Sequence, residues 1–374
     1  MRIAVLGGAG EIGRHVVEHL LHRSDASVVI ADVREESGSR LAKRLGPRAS
    51  FQHVDAGRAR TVIRAVEPCA VAINCIGPAY RFALPIAKAV LDAGVSGVDI
   101  CDDATPVEGL LALHNKAQRR GLVYLIGMGW SPGITNLLAL KASRQLDRTE
   151  RIDIRWLGSA ADASGQAVIK HLLYCVSGNV PCYRGGKWIR VPALSEPEIV
   201  QFPYPLPALT VAHTGHPETV TLPRSIAVDE VTCKGTVVPR MAMEAVRLAS
   251  RLQLTRDDIS IDQAASFIHR TGGWLNPNLL RRLSGTRQSA ARVDVTGVKA
   301  GQRRVISYSL MDRIQRMTVV PAAEAALGIV RGAVGSTGVL PPEEAVDPIP
   351  FLNSLAQHGI VIHEHLQDPV EETP

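Results

Sequence analysis

The fold is decided by a stretch near the start of the chain, which reads Ile3-Ala4-Val5-Leu6-Gly7-Gly8-Ala9-Gly10-Glu11-Ile12-Gly13. Its four apolar residues predict a buried β-strand, and the glycines after them predict a tight turn. The amphipathic residues 13–22 then predict a helix. Strand, glycine-rich turn and helix therefore follow one another directly, as they do in a βα unit.

Three of these glycines have the spacing G-x-G-x-x-G, which between a strand and a helix is typical of a dinucleotide-binding turn. Gly8 permits the tight turn, Gly10 lets the backbone approach a pyrophosphate, and Gly13 lets the helix pack closely on the strand. The start of the helix also presents N–H groups and the positive end of its dipole. We therefore predict that Gly8, Gly10, Glu11, Ile12 and Gly13 bind a nicotinamide dinucleotide.

Two side chains after the second predicted strand bear on the choice between NAD and NADP. Asp32 lies 19 residues after Gly13, where an acid binds both adenosine ribose hydroxyls and repels a 2′-phosphate, which favours NAD. Arg34 favours NADP, because a guanidinium can bind that phosphate. We predict NAD, with NADP as the alternative. Asp55, after the third strand, is predicted to approach the adenine or to begin a helix as its N-cap.

The first third of the chain alternates apolar and amphipathic segments. Further strands are predicted at residues 28–31, 51–54, 70–74, 95–99 and 122–126, with helices between them, the last at residues 106–119. This order predicts an α/β fold of the Rossmann type, a doubly wound parallel sheet. Ligands bind such sheets beyond the carboxyl ends of the strands. Asn74, Gly77 and Pro78 end the fourth strand, so we predict that they lie beside the nicotinamide ribose.

The pattern changes in the second part of the chain. Residues 152–157 alternate apolar and polar side chains, as a half-exposed antiparallel strand does. Short strands and helices follow, which predicts an α+β domain on an open sheet. Residues 183–187 have the Y-x-x-x-K spacing of short-chain dehydrogenases. Because Gly185 and Gly186 disfavour the helix that this chemistry needs, we predict a hairpin turn there.

Composition excludes several classes of function. The chain has 374 residues, which favours two domains. Its net charge of +6 comes from dispersed arginines and only 4% of residues are aromatic, so we expect no nucleic-acid partner. The first residues already have the pattern of an apolar strand, and no apolar run approaches the length of a membrane span. We therefore expect no signal peptide and a cytoplasmic protein without a membrane partner. The six cysteines are scattered without ligand spacing, so we expect no metal.

Further motifs follow in order, and they read Ile76-Gly77-Pro78-Ala79-Tyr80, Val98-Asp99-Ile100-Cys101-Asp102-Asp103, Gly127-Met128-Gly129-Trp130-Ser131-Pro132-Gly133, His213-Thr214-Gly215-His216-Pro217-Glu218-Thr219-Val220-Thr221-Leu222-Pro223-Arg224 and Gly338-Val339-Leu340-Pro341-Pro342-Glu343. Together with the glycine turn they resemble the saccharopine dehydrogenase-like family, which includes saccharopine reductases, lysine dehydrogenases and carboxynorspermidine dehydrogenases. The resemblance spans nearly the whole chain.

This resemblance implies a domain order and a reaction. It implies a Rossmann domain over residues 1–127, an inserted α+β domain for substrate binding and dimerisation over 128–335, and a segment, 336–374, that returns to the Rossmann domain. It also implies hydride transfer at the carbon–nitrogen bond of a small-molecule substrate, an amino acid or amine, in a homodimer. Ser131 stands where saccharopine reductases have aspartate, which disfavours saccharopine itself, and Asp32 resembles the NAD-using lysine dehydrogenases.

Candidate catalytic groups follow the fourth and fifth strands. Asp102 and Asp103 are candidates for a general base, because neighbouring carboxylates raise one another's pKa, and Asp99 is a candidate for binding a substrate ammonium. Asp103 can instead cap the helix near Pro106. Tyr80 is predicted to hydrogen-bond substrate or cofactor, or to pack on the next helix.

Substrate contacts are predicted from four further residues. Trp130 and Ser131 precede a predicted helix whose first N–H groups can hold a carboxylate. His171 lies among apolar residues, where a core histidine is the alternative. Arg224 can bind a carboxylate, with a solvated surface position as its alternative.

Three functions remain open from the sequence. The first is an NAD(P)-dependent dehydrogenase or reductase of an amino acid or amine. The second is an enzyme that condenses an amine with a carbonyl compound and reduces the imine. The third is a protein that senses NAD(P) without catalysis.

Overall fold

The computed structural model describes residues 1–162, 165–252, 255, 257–272 and 286–367. The chain forms two compact units. The first unit contains Met1–Gly133 and Gln315–Asp347, and the second contains Ile134–Ile314 and the residues from Pro348 onward.

The elements follow one another in three segments. The strands of the first segment are β1 (Arg2–Leu6), β2 (Ser27–Asp32), β3 (Ala49–His53), β4 (Val71–Asn74), β5 (Ser96–Asp99) and β6 (Val123–Leu125), and its helices are α1 (Glu11–Arg23), α2 (Glu35–Leu45), α3 (Ala59–Val66), α4 (Ala79–Asp92), α5 (Val107–Leu111) and α6 (His114–Arg119). The second segment contains α7 (Ile134–Ser143), β7 (Arg148–Ser159), α8 (Gln166–Cys175), β8 (Asn179–Arg184), β9 (Lys187–Pro192), β10 (Glu198–Gln201), β11 (Ala208–His213), α9 (Glu218–Ser225), β12 (Glu230–Val238), α10 (Arg240–Arg251), α11 (Asp258–Gly272), β13 (Ser289–Lys299) and β14 (Gln302–Asp312). The third contains α12 (Ile314–Val330), β15 (Gly338–Leu340), α13 (Pro342–Ala345), α14 (Pro348–Gln357) and β16 (Ile362–Gln367).

The first unit is built on a parallel sheet of seven strands in the order β15-β6-β5-β4-β1-β2-β3. Its inner strands are mostly apolar and buried, as strands covered by helices on both faces are, whereas the edge strand β3 is partly exposed. The strand order reverses between β1 and β4, which confirms the predicted Rossmann topology. The helix predicted at residues 106–119 is two short helices, α5 and α6.

The described strands of the second unit form a nine-stranded mixed sheet. The main order is β10-β11-β12-β7-β13-β14-β16, and β8 pairs with both β12 and β9. The expected α+β architecture on an open sheet is therefore confirmed.

Strand β7 differs from the prediction for residues 152–157. It is a central strand, parallel to β12 and antiparallel to β13, rather than a half-exposed antiparallel one. Its polar residues are also largely buried, because Arg155 forms ion pairs with Asp153, Asp294 and Glu198. The alternating pattern indicated that the polar side chains face solvent. In the structure the Arg155 side chain instead pairs with carboxylates of other strands.

The predicted hairpin at residues 183–187 is confirmed. Strands β8 and β9 pair in antiparallel register with Arg184 opposite Lys187. The two residues between them, Gly185 and Gly186, have φ angles of 57° and 72°, which is the backbone of a type I′ turn. The tyrosine and lysine of the Y-x-x-x-K spacing therefore do not share a helix.

The unit boundaries differ from the predicted ones in the third segment. Residues Gln315–Asp347 belong to the first unit. Within them, β15 extends the parallel sheet beside β6. The residues after Pro348 do not return to the Rossmann unit, because α14 packs on α7 and β16 pairs with β14. Residues 368–374 of the predicted C-terminal segment lie outside the described residues.

Among the described residues, no helix has both the length and the apolar character needed to cross a membrane.

Candidate cofactor site

The glycine-rich turn after β1 is closed by its own backbone. Gly7 N–H donates to Ala31 O at 2.7 Å, and Gly10 N–H donates to Gly7 O at 2.8 Å. A Cβ atom on Gly13 would lie 2.1 Å from Gly7 O, and one on Gly10 would lie 2.9 Å from the same oxygen. Glycine is therefore required where α1 crosses the turn, as the spacing predicted.

The turn opens directly into α1, whose N-cap residue, Gly10, has no side chain to cap the helix. The first N–H groups of a helix have no intrahelical acceptor, and they attract anions. Glu11, Ile12 and Gly13 supply these groups. This uncapped helix start beside a close-packed glycine turn fits the pyrophosphate of a dinucleotide.

Asp32, at the end of β2, is held by several hydrogen bonds. Its carboxylate accepts from Ala9 N–H at 3.0 Å and from Arg34 N–H at 3.0 Å. The Arg34 guanidinium donates to both carboxylate oxygens at 3.1 Å. Burial by itself would raise the pKa of Asp32, but the hydrogen bonds and charge of Arg34 outweigh it and lower that pKa.

Asp55 lies in the loop between β3 and α3. Its Oδ1 atom accepts from Gly57 N–H at 2.9 Å, and its Oδ2 atom lies 3.3 Å from Arg58 Nε. The N-cap of α3 is Arg58 and no side chain caps that helix, so the N-cap alternative for Asp55 is wrong. Its approach to the adenine stays a prediction.

Asn74, Gly77 and Pro78 lie at the carboxyl end of β4, beside β1, where the strand order reverses. Asn74 is buried, and its Oδ1 atom accepts from Ile76 N–H at 3.0 Å. This bond shapes the turn that leads through the cis peptide of Gly77–Pro78 into α4. The structure therefore brings these residues to the ligand edge of the sheet, as expected, and their contact with the nicotinamide ribose stays a prediction.

Asp99 has different partners from the predicted substrate ammonium. The carboxylate is buried, and Oδ1 accepts from Cys101 N–H at 2.9 Å and from Gly127 N–H at 2.8 Å. Burial raises the pKa of Asp99 to about 6, although these two N–H groups and the Tyr124 hydroxyl lower it. The buried carboxylate joins the ends of β5 and β6, so we remove Asp99 from the substrate-binding set.

Asp103 caps a helix, but not the helix that the sequence indicated. Its carboxylate is fully buried, and Oδ2 accepts from Tyr80 N–H at 2.7 Å, in the first turn of α4. Asp102 is only partly buried, as is Tyr80. Burial raises the pKa of the Cys101 thiol, and the charges of Asp99, Asp103 and Asp102 raise it further. The predicted carboxylate cluster therefore exists, and its catalytic role stays a prediction.

Trp130 and Ser131 lie in a tight loop at the end of the first segment. Gly129 N–H donates to Pro132 O at 3.0 Å, and a Cβ atom on Gly133 would lie 2.1 Å from Gly129 O. Both predicted residues are buried. The loop is thus a rigid feature of the first unit, and its contact with substrate stays a prediction.

His171 and Arg224 belong to the second unit. The His171 ring, on α8, lies 5.2 Å from the ring of His216. Arg224 lies in the last turn of α9, where its guanidinium lies 5.2 Å from the ring of Trp188 and its Nε donates to Val220 O at 3.2 Å. These contacts hold Arg224 on its own unit, and carboxylate binding by it stays a prediction.

The sequence analysis assigned no role to His216 and Glu218, both of which are buried. The two residues lie in the His213–Arg224 motif, which was used only for the family resemblance. The signal available in the sequence was a histidine and a glutamate two residues apart between a strand and a helix.

A family model and one solved structure agree with this fold. Residues 3–125 match the family model of the saccharopine dehydrogenase NADP binding domain. The apo saccharopine dehydrogenase (L-Glu forming) from Saccharomyces cerevisiae is similar in structure, with a TM-score of 0.70 and 16% sequence identity, over 98% of this chain and 100% of that one. GenD2 from gentamicin A biosynthesis, in complex with NAD, has a TM-score of 0.43 and 12% identity, over 98% and 96% of the two chains.

A shorter similarity concerns tropinone reductase-like 1 from Erythroxylum coca, which is 39% identical over 67 residues. The match covers 18% of this chain, and the chain spans about a quarter (24%) of the length of the curated relatives that it matches. The chain is therefore saccharopine dehydrogenase-like in fold, and its residues 3–125 match a domain model described as NADP binding.

Proposed function

We propose that this chain is an NAD(P)-dependent oxidoreductase that acts on the C–N bond of an amino acid or amine. The family match over residues 3–125 carries the proposal, and the glycine turn, the uncapped α1 and Asp32 support it. A nicotinamide dinucleotide held by the glycine turn and Asp32 would supply the hydride transfer. In the oxidative direction the substrate C–H bond gives up that hydride, and its nitrogen loses a proton to a base as the C=N bond forms.

Asp102 is the base in this proposal. It is only partly buried, whereas the buried Asp103 carboxylate is engaged by the main chain of α4. Asp103 therefore acts mainly by holding the first turn of α4 and with it Tyr80, whose hydroxyl orients the substrate. The oxidation is complete when the C=N bond has formed. Water then adds to the imine carbon and the C–N bond breaks, which gives a carbonyl compound and an amine or ammonia.

NAD is the preferred cofactor in this proposal. Asp32 is almost fully buried (4% exposed) and carries a lowered pKa, so it stays ionised and repels a 2′-phosphate. Arg34 is half exposed (55% of its side chain) and compensates part of that charge. We therefore expect NADP to bind more weakly rather than to be excluded.

A turnover panel tests the reaction. The purified chain is mixed with NAD or NADP and with lysine, saccharopine, other diamino acids or polyamines, and reduced nicotinamide is followed by absorbance. Turnover with one amino acid or amine supports the proposal. Turnover only when an amine and a carbonyl compound are supplied with reduced cofactor supports reductive condensation instead.

The third alternative, a protein that senses NAD(P), is favoured if the cofactor binds and every substrate pair is inactive. A homodimer and a cytoplasmic location also stay proposals. Light scattering of the purified chain measures its mass directly, and a monomeric mass of 40.2 kDa would contradict the dimer.

A further inference from the structure

Ligand-type side chains from separate parts of the sequence come together inside the second unit. His171 and Cys175 lie four residues apart on α8, so they share one face of the helix. His216 lies in the loop between β11 and α9. The ligand atoms of the three residues all lie within 4.8 Å of one another. Their separation along the chain is the reason why the cysteine spacing predicted no metal.

Main-chain hydrogen bonds fix the loop that carries His216. Gly215 N–H donates to Cys175 O at 2.7 Å, and Thr214 N–H donates to Cys233 O at 3.0 Å. The loop is thereby attached to the end of α8 on one side and to β12 on the other. Trp156 adds a third attachment, because its Nε1–H donates to Thr214 Oγ1 at 3.1 Å. These bonds hold the backbone on the N-terminal side of His216 in place.

A buried carboxylate lies beside the same ring. Glu218 is fully buried, and its Oε2 atom is 3.8 Å from His216 Nδ1. Its other oxygen accepts from the Thr135 hydroxyl at 2.9 Å. The distance from Oε2 to Nδ1 is longer than a hydrogen bond, and a small rotation of the ring towards Glu218 would form the carboxylate–imidazole hydrogen bond that is common behind metal-binding histidines. Nε2 of His216 is then the ligand atom.

We propose that the second unit binds one Zn²⁺ ion through His171, Cys175 and His216. Two imidazoles and one thiolate are ligands that zinc prefers, whereas Ca²⁺ and Mg²⁺ take oxygen ligands. Zn–N bonds of about 2.0–2.1 Å and a Zn–S bond of about 2.3 Å place tetrahedral ligand atoms roughly 3.3–3.7 Å apart. Small side-chain rotations bring the three residues to that spacing, and water occupies the fourth position.

A second grouping, His216 with Glu218 and Cys233, shares one histidine with this site. We assign the metal to the first grouping, because two of its ligands come from one turn of one helix and because Thr135 already engages Glu218. Glu218 is a positioning residue in this arrangement. The site lies within the second unit, and the proposal does not depend on the nature of the reaction.

Cobalt titration of the tag-free, full-length chain tests the site after treatment with a chelator. We expect one equivalent of Co²⁺ per chain, with a thiolate-to-cobalt charge-transfer band and the intense visible bands of tetrahedral coordination. Cys175→Ser should abolish the charge-transfer band, and His216→Asn should weaken Co²⁺ binding at least a hundredfold. Glu218→Gln should keep the charge-transfer band and weaken binding about 10–100-fold.

The matched control is Cys182→Ser, which changes a buried cysteine on β8 of the same unit that is not in either grouping. It should titrate as the unmodified chain does. No Co²⁺ binding by the unmodified chain, or a charge-transfer band that survives in Cys175→Ser, would overturn the proposal. Loss of that band only in Cys233→Ser would overturn the ligand assignment.

X-ray absorption of the unmodified, zinc-loaded chain decides the question even if a variant does not fold. We expect one sulfur ligand at about 2.3 Å and two nitrogen ligands at about 2.0–2.1 Å. A spectrum with only oxygen and nitrogen ligands would overturn the proposal.

Discussion

At the scale of single residues, the pair Asp32 and Arg34 decides how the adenosine end of the cofactor is recognised. Asp32 accepts hydrogen bonds from Arg34 through both carboxylate oxygens. The sequence indicated opposite preferences for these two residues and treated them as alternatives. In the structure they form one ion pair, so the selectivity depends on the balance between the two charges.

Asp32→Asn should raise the affinity for NADPH relative to NADH at least tenfold, because it removes the charge that repels the 2′-phosphate. The amide keeps an oxygen that can accept from Ala9 N–H, so the turn should stay intact. Arg34→Ala, the matched variant on the other side of the pair, should shift the ratio towards NADH. Fluorescence titration with both reduced cofactors measures the ratio. Equal ratios in all three proteins would contradict this account of selectivity.

Asp102→Asn should lower turnover at least tenfold and leave the affinity for NADH nearly unchanged, because a proton acceptor is lost and the cofactor turn is untouched. Asp92→Asn is the control, since Asp92 is an exposed residue of the same unit whose carboxylate pairs with Lys116. Steady-state kinetics and cofactor titration are both needed. Full turnover in Asp102→Asn would remove this residue from the catalytic set.

At the scale of elements, the contact between the glycine turn and α1 is the feature on which cofactor binding depends. The close approach of Gly13 to Gly7 O leaves no room for a side chain, and this contact aims the start of α1 at the turn. A change here acts on an entire helix rather than on one hydrogen bond.

Gly13→Ala should weaken NADH binding at least tenfold, because its new Cβ atom would lie 2.1 Å from Gly7 O and would displace α1. Gly328→Ala is the matched control: Gly328 is also a helical glycine of the first unit, and its Cβ atom would meet only Ala333 at 3.9 Å. Calorimetric titration with NADH measures both. Unchanged affinity in Gly13→Ala would show that the turn does not bind the cofactor.

The buried Asp99 carboxylate joins the ends of β5 and β6, and its contribution to the stability of the fold depends on pH. Burial raises its pKa from 3.8 to about 6. Its contribution to stability is therefore fully present below pH 3.8 and is lost as the pH rises through about 6. The difference between these pKa values corresponds to about 3 kcal/mol.

Asp99→Asn should avoid this loss, because the amide does not ionise and its oxygen can still accept from Cys101 and Gly127. The melting temperature of the variant relative to the unmodified chain should therefore rise between pH 4 and pH 7. Thermal unfolding of both proteins across this range measures the effect. A difference that does not change with pH would show that Asp99 is not buried as an acid.

At the scale of the whole molecule, the sequence predicted the first unit far better than the second. The central strands β1, β2 and β4 of the parallel sheet are short, mostly apolar runs. The ends of β2, β4 and β5 place Asp32, Asn74 and Asp99 at one edge of the sheet. Local patterns suffice there. The sequence predicted that Asp103 can cap a helix, but it did not indicate α4, which begins 24 residues earlier in the chain.

The second unit depends on pairing between distant strands, which local patterns do not show. Strand β7 looked half exposed because the partners of Arg155 lie on other strands. The grouping of His171, Cys175 and His216 was hidden for the same reason. The final segment was predicted correctly only as far as Asp347, where β15 lies in the first unit. The pairing of β16 with β14 in the second unit is not visible in the sequence.

The central claim, that the first unit holds a nicotinamide dinucleotide at the glycine turn, is tested most directly by NADH and NADPH titration of the full-length chain and of Gly13→Ala. We predict saturable binding of one NADH per chain, tighter than that of NADPH, and at least a tenfold loss in Gly13→Ala. Absence of binding by the unmodified chain, or equal binding by both proteins, would contradict the claim.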